Sequence, residues 1–287
     1  MKIAIIDIGS NSVRLMLWSD GKTLYKRLIT TRLGQGVAQT GMLCDDAITR
    51  TKNAIAQHVA TALKDGAEQV FAFATEAVRA SKNGSQFVGQ VKDELGIEID
   101  VLSGEEEALM GVTGAVEGTD GASVDIGGAS AELTVKKDGK IVYSKSVPLG
   151  VVRLKDRAGR DKALLEKIID EETEKYGDIS HFSVPLYAIG GTATTLSAVN
   201  QRLETYMPEK VHLSTLTYTQ IENLTDVFLT ADVQEIKAMK GMAEGRADVI
   251  GGGSLLLLKI MQKFGVDKVI VSESDNLEGY LKRKILI

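Results

Sequence analysis

One nine-residue pattern occurs twice in this chain. Asp7-Ile-Gly-Ser-Asn-Ser-Val-Arg-Leu15 lies over Asp125-Ile-Gly-Gly-Ala-Ser-Ala-Glu-Leu133, 118 residues on, with Asp, Ile, Gly, Ser and Leu recurring at five of nine places. Each copy follows a buried-type apolar run, 2–6 and 123–126, and leads into a second strand-like run. A repeat of this kind predicts two domains of related fold facing each other across a cleft. Small residues in such a turn let backbone N–H groups point outward, and consecutive N–H groups with a hydroxyl form an anion nest. An aspartate at the strand end can hold a water or a divalent cation beside it. Gly190-Gly191-Thr192 adds a third such turn where a strand over 186–189 runs into a helix, whose N-terminus favours phosphate. A lone Gly-rich turn reads as an ordinary hairpin. Three of them, two in matched register, point to phosphoryl chemistry. The binding positions expected are Gly9, Ser10, Asn11, Ser12, Gly127, Gly128, Ser130, Gly191 and Thr192.

The rest of the chain alternates strand and helix signals, which favours an α/β fold. Strands are expected at 2–6, 13–18, 23–30, 69–74, 97–102, 123–126, 186–189 and 267–271, with a hairpin of 132–137 and 140–147 around Asp138-Gly139. Helical spacing covers 45–63, with Asp45 or Asp46 as cap, then 85–95, 161–176, a long 242–264 and a closing 276–287. Ser103 opens another helix, with Glu106 three residues on as in a capping box. The division is placed within 114–121, giving domains 1–117 and 118–287, with the last helix free to pack back on the first.

Composition narrows the function classes. At 287 residues the chain can bury full cores without disulfides. It carries 34 basic and 39 acidic residues, a net −5, where a nucleic-acid binder usually shows a basic excess. No nucleic-acid partner is therefore expected, and attraction for an anionic substrate has to be local. The single Cys44 fits a reduced, cytoplasmic setting and reads as a semi-buried thiol. Residues 1–8 lack the basic start and cleavage site of a signal peptide, and 255–258 is too short to span a bilayer, so no membrane association is expected. His58, His181 and His212 show no metal-ligand spacing.

The turns resemble those of the acetate kinase/sugar kinase/Hsp70/actin superfamily. Within it the chain is similar to the exopolyphosphatase/guanosine pentaphosphate phosphohydrolase (Ppx/GppA) family, of the short two-domain type. The resemblance rests on Asp7-Ile-Gly-Ser-Asn-Ser-Val-Arg14, Arg32-Leu-Gly-Gln-Gly36, Ala74-Thr-Glu-Ala-Val-Arg79, Ser103-Gly-Glu-Glu-Glu-Ala108, Val124-Asp-Ile-Gly-Gly-Ala-Ser-Ala-Glu132, Ile189-Gly-Gly-Thr-Ala-Thr194 and Arg246-Ala-Asp-Val-Ile250, in family order. It implies two ribonuclease H-like domains around an interdomain cleft. It further implies a phosphoanhydride hydrolase that releases terminal phosphate from inorganic polyphosphate or guanosine pentaphosphate, with Mg²⁺ (Mn²⁺ as the alternative) as cofactor. A homodimer is left open.

Residue by residue, the resemblance assigns Glu107 as the base that positions and deprotonates water. Spacing alone leaves Glu105, Glu106 and Glu107 as capping carboxylates, pointing in different directions. The resemblance places Asp125 and Glu132 near the cation, and Arg14 and Arg79 near the phosphates, where a guanidinium suits bidentate contact. Arg32 is a third, weaker candidate, and Asp7 has a supporting or capping role. Two departures stand out. Ala129 and Ala131 replace Gly and Thr in the second turn, and 272–279 reads Ser-Glu-Ser-Asp-Asn-Leu-Glu-Gly where the family often has Ser-Asp-Gly-Gly-Leu-Arg-Glu-Gly. They keep open a sensor that binds phosphate polymers or alarmone without turnover. An ATP-dependent kinase is the other alternative, ranked well below the hydrolase.

Overall fold

The computed structural model describes residues 1–128 and 130–285. Ala129, on which the narrowing of the second turn depends, lies outside the described residues, as do the last two positions of the closing helix. The chain divides into two compact units, Met1–Met110 with Tyr280–Ile287, and Gly111–Gly279.

The first unit is built on β1 (Lys2–Ile8), β2 (Ser12–Ser19), β3 (Lys22–Thr30), β4 (Gln69–Ala74) and β5 (Ile99–Val101), in the order β3-β2-β1-β4-β5. β1 is central, antiparallel to β2 and parallel to β4. A central strand is covered on both faces, which is why Ile3 to Ile6 form one unbroken apolar run at 0% exposure. The edge strand β3 is mostly exposed. Its helices are α1 (Val37–Thr40), α2 (Asp45–Lys64), α3 (Glu76–Arg79), α4 (Gly84–Leu95) and the start of α5 (Gly104–Ala115). Ala47, Ala54, Ile55 and Ala62 turn one stripe of α2 into the core, at helical spacing. The cap of α2 is corrected. Cys44 occupies the N-cap without a side-chain bond, while Asp45 and Asp46 sit in the first turn, where they act on the helix dipole. Cys44 is exposed, not semi-buried.

The second unit repeats the plan. Its strands are β6 (Gly121–Ile126), β7 (Ala131–Lys137), β8 (Lys140–Val147), β9 (Leu186–Ile189), β10 (Thr215–Thr217) and β11 (Lys268–Ser272). Their order is β10-β11-β9-β6-β7-β8, the same hairpin-then-parallel arrangement around β6 as around β1, with β10 added at one edge. These are two sheets of the ribonuclease H-like type. The helices are α6 (Val151–Ala158), α7 (Lys162–Thr173), α8 (Gly190–Asn200), α9 (Pro208–Val211), α10 (Tyr218–Thr230), α11 (Val233–Lys237), α12 (Ile250–Phe264) and α13 (Asn276–Ile285), which runs on into the first unit. α12 is apolar nearly all round and almost wholly buried, as a helix enclosed by others must be. It is shorter than its sequence suggests. The expected start at 242 is displaced to Ile250, because Gly245 takes a left-handed φ of 71° that no helix continues through. No described helix is long and apolar enough to cross a membrane.

Candidate active site

Each copy of the repeated pattern folds into a hairpin corner, and the same bond closes both: Gly9 N donates to Ser12 O and Gly127 N to Ser130 O, each at 3.0 Å. What braces the corners differs. The first leans on a strap that follows β3. Thr31 N and Arg32 N donate to Asn11 O at 3.0 and 2.9 Å, and Gly34 N to Ser10 O at 2.8 Å. A trans peptide points its C=O and N–H in opposite directions. With the Ser10 and Asn11 carbonyls held by the strap, the Asn11 and Ser12 N–H groups face away from it, as an anion nest requires. The second corner leans on α6. Val151 N donates to Gly127 O at 2.9 Å, and Val152 N and Arg153 N to Gly128 O at 2.9 and 3.3 Å. The first amides of α6 are thereby spent on the corner, and the Gly128 N–H is turned outward.

The strand register pairs the residues flanking each corner. Asp7 lies opposite Arg14 and Asp125 opposite Glu132. Directly opposed residues of an antiparallel pair project to the same face of the sheet. In the first copy this makes an ion pair, with Arg14 Nε and Nη2 donating to Asp7 Oδ2 at 3.0 and 2.5 Å and Asp7 only 5% exposed. In the second copy two carboxylates share a face, and Glu132 Oε1 accepts from Ser146 Oγ at 2.6 Å. Among the described residues no three His, Cys, Asp or Glu side chains form a metal cluster. The Asp125–Glu132 pair nevertheless fits a small hard cation. Mg²⁺ commonly takes one or two carboxylates and fills its shell with waters and phosphate oxygens.

The glutamate triplet at the start of α5 is sorted by its surroundings. Glu106 closes a capping box with Ser103 at 2.9 and 3.1 Å and pairs with Arg283 at 3.1 Å. Those contacts hold its carboxyl below the usual range, the backbone bond at Ser103 foremost. Glu105 is exposed. Glu107 turns inward and accepts from Arg79 Nη1 at 3.2 Å. Arg79 also binds Glu76 and the Leu102 carbonyl. Burial pushes the Glu107 carboxyl above its ordinary pKa, Arg79 works against this, and the charges of Asp7 and Glu76 add to it. Glu107, Asp7, Arg14 and Arg79 therefore make one electrostatically linked group in the first unit.

The third turn carries a constraint and an addition. Gly190 has φ 77°, and a Cβ there would stand 2.5 Å from Asp125 Oδ1, so only glycine lets the start of α8 come this close to that carboxylate. A Cβ on Gly191 would stand 2.0 Å from Arg246 Nη2. Arg246 thus rests on the N-terminus of α8, adding positive charge beside Asp125. It was not among the expected site residues, though its Arg-Ala-Asp-Val-Ile segment was the signal that marked it. Thr192 is buried, and its hydroxyl donates to Ile126 O at 3.3 Å, inside the fold. In 272–279 the acidic residues have internal partners. Glu273 accepts from Tyr206 Oη, Asp275 Oδ1 accepts from Leu277 N at 3.0 Å, and Glu278 accepts from Asp275 N at 2.9 Å. His58 is buried with Nε2 3.2 Å from Val13 O, and His212 Nδ1 accepts from Glu273 N at 3.2 Å.

A profile of the Ppx/GppA phosphatase family matches residues 19–286. The chain is 32% identical over 304 residues to a bifunctional 3-dehydroquinate synthase/phosphatase of Fusobacterium nucleatum, covering 96% of this chain and 45% of that protein. It is 31% identical over 313 residues to exopolyphosphatase 2 of Mycobacterium tuberculosis, covering 97% of each. It thus spans under half of the first relative and nearly all of the second. Among solved structures, the type II variant of the Aquifex aeolicus Ppx/GppA phosphatase superposes with a TM-score of 0.88 at 32% identity, covering 99% of both chains. Members of the family are generally metal-dependent. On these grounds the chain belongs to the Ppx/GppA phosphatase family.

Proposed function

We propose that this chain hydrolyses the terminal phosphoanhydride of inorganic polyphosphate, with Glu107 as the base. The observation that carries the reading is the state of Glu107. It is the one carboxylate of its triplet that is held inward on Arg79, and burial raises its proton affinity. A base whose pKa is moved toward neutrality removes a proton from water more effectively than an ordinary surface glutamate. In the step itself, the water oxygen forms a bond to the terminal phosphorus and the bridging P–O bond breaks. The water proton passes to Glu107 Oε, and the shortened chain leaves with the bridging oxygen.

The other residues bind and orient. In the first unit the outward amides of Asn11 and Ser12 donate to phosphoryl oxygens, and Arg14 and Arg79 spread positive charge over them; in the second unit the Gly128 amide is a donor of the same kind. Asp125 and Glu132 hold the divalent cation, Mg²⁺ by donor type. When bound, the cation neutralises charge on the phosphoryl oxygens.

A phosphate-release panel tests this. Short and long polyphosphates, guanosine pentaphosphate and ATP are each incubated with the protein and Mg²⁺ or Mn²⁺. Cation-dependent release from polyphosphate is expected, with less from ATP. Release from guanosine pentaphosphate alone shifts the substrate to the alarmone, and tight polyphosphate binding with no release from any member makes the chain a sensor.

A further inference from the structure

The strap that braces the first corner also walls a cavity of about 430 Å³, lined by Thr30, Thr31, Arg32, Gln35 and Arg50. None of these residues belongs to the Glu107 group. We propose that this cavity is a second anion site, taking a phosphoryl oxyanion.

Three independent features support it. Among the described residues neither Arg32 nor Arg50 has a carboxylate partner, so the cavity has two uncompensated guanidiniums. Arg50 donates only Nε, to Thr31 O at 3.1 Å. Thr31 is 1% exposed, and its Oγ1 has no hydrogen-bond partner. Buried hydroxyls are nearly always satisfied, so an orphan beside two arginines calls for an acceptor from outside. Arg32 itself takes φ 52°, a left-handed conformation that is uncommon for a non-glycine residue. A phosphoryl group offers several anionic oxygens at once. It can take a fork from one arginine and the Thr31 hydroxyl together. The strap amides of Thr31 and Arg32 hold the Asn11 carbonyl, so an anion in the cavity grips the segment that orients the first nest.

The same chemistry fits the far end of a long phosphate chain or a separate oxyanion. The test begins with binding, which does not depend on the proposed hydrolysis. The full chain is titrated calorimetrically with methylenediphosphonate, a probe that cannot be hydrolysed. Arg32→Gln/Arg50→Gln is expected to lose one binding event that the wild type shows, whatever events remain. Thr31→Val is expected to weaken that event about tenfold, the scale of one hydrogen bond to a charged group, while its thermal midpoint stays level or rises. Unchanged stoichiometry and affinity in the double variant overturns the proposal. So does an unchanged affinity in Thr31→Val, which decides the matter if the double variant does not fold. A second arm separates the two sources. A chain-end site raises KM for long polyphosphate and leaves that for short polyphosphate alone. A separate oxyanion leaves both KM values alone.

Discussion

The two copies of the corner share closing bond, register and strand order, yet their flanking pairs are opposite in electrostatic character. Asp7 and Arg14 neutralise each other within the protein, whereas Asp125 and Glu132 place two negative groups on one face. Like charges directly opposed in a sheet destabilise it. A chain keeps such a pair when something positive comes to it, and Arg246 rests on the start of α8, next to the Gly190 turn that approaches Asp125. The supports differ too, a loop strap in one copy and the first turn of a helix in the other. Of the four positions at which the copies differ, the exchange of Arg14 for Glu132 is the one that reverses the charge of the flanking pair. In the proposed function the first copy meets anions directly and the second meets them through a cation.

The largest effect expected is on Glu107, because no residue of the second copy duplicates it. Glu107→Gln should lower turnover by about 10²–10⁴-fold, measured as phosphate release. Its thermal midpoint at neutral pH should hold or rise. The folded-state pKa of Glu107 is raised, so ionisation costs stability. That cost is absent below the unfolded pKa and complete above the folded one. A near-wild-type rate would remove Glu107 from the role of base.

Next come the pairs that distinguish the copies. Arg14→Gln leaves the nearly buried Asp7 charge without its ion-pair partner. It should cost about 1–3 kcal/mol in urea unfolding, less than a fully buried pair because Arg14 is 26% exposed. Glu132→Gln should be neutral or stabilising without metal, and the rise in thermal midpoint that Mg²⁺ gives the wild type should vanish. Equal losses in the two variants would break the contrast. At the third turn, Gly190→Ala forces a Cβ against Asp125 at φ 77° and should cost about 1–2 kcal/mol, with weaker cation dependence of activity. The smallest effect is on pH. The acid limb of kcat/KM should lie above the usual glutamate range, because lowering the pH protonates a base whose pKa is already raised. Arg79→Gln removes the opposing charge and should move that limb higher still.

Much of this was legible in the sequence because it is local. The Asp138-Gly139 hairpin, the Ser103–Glu106 capping box and the unbroken apolar run of β1 each follow from neighbours in the chain. α10 is not among the expected helices, although Thr217 and Gln220 make a capping box of the same kind and Ile221, Leu224, Val227 and Phe228 follow at helical spacing. The long helix expected from 242 failed for a reason invisible to periodicity. Gly245 can continue a helix or leave it, and here it turns left-handed, with Arg246 resting at the start of α8.

The sequence by itself determined the duplication, the α/β class and the residue types that could do phosphoryl chemistry, because repeats, periodicity and turn residues are properties of adjacent positions. Only the tertiary structure decided which of three neighbouring glutamates is buried on an arginine, that Thr192 spends its hydroxyl inside the fold, and that Arg246 lies on Gly191. Those outcomes depend on burial and on partners 28, 66 and 55 residues away in the chain, and no spacing rule reaches that far. Desolvation and charge pairing are set by what packs nearby, which exists only once both sheets have formed.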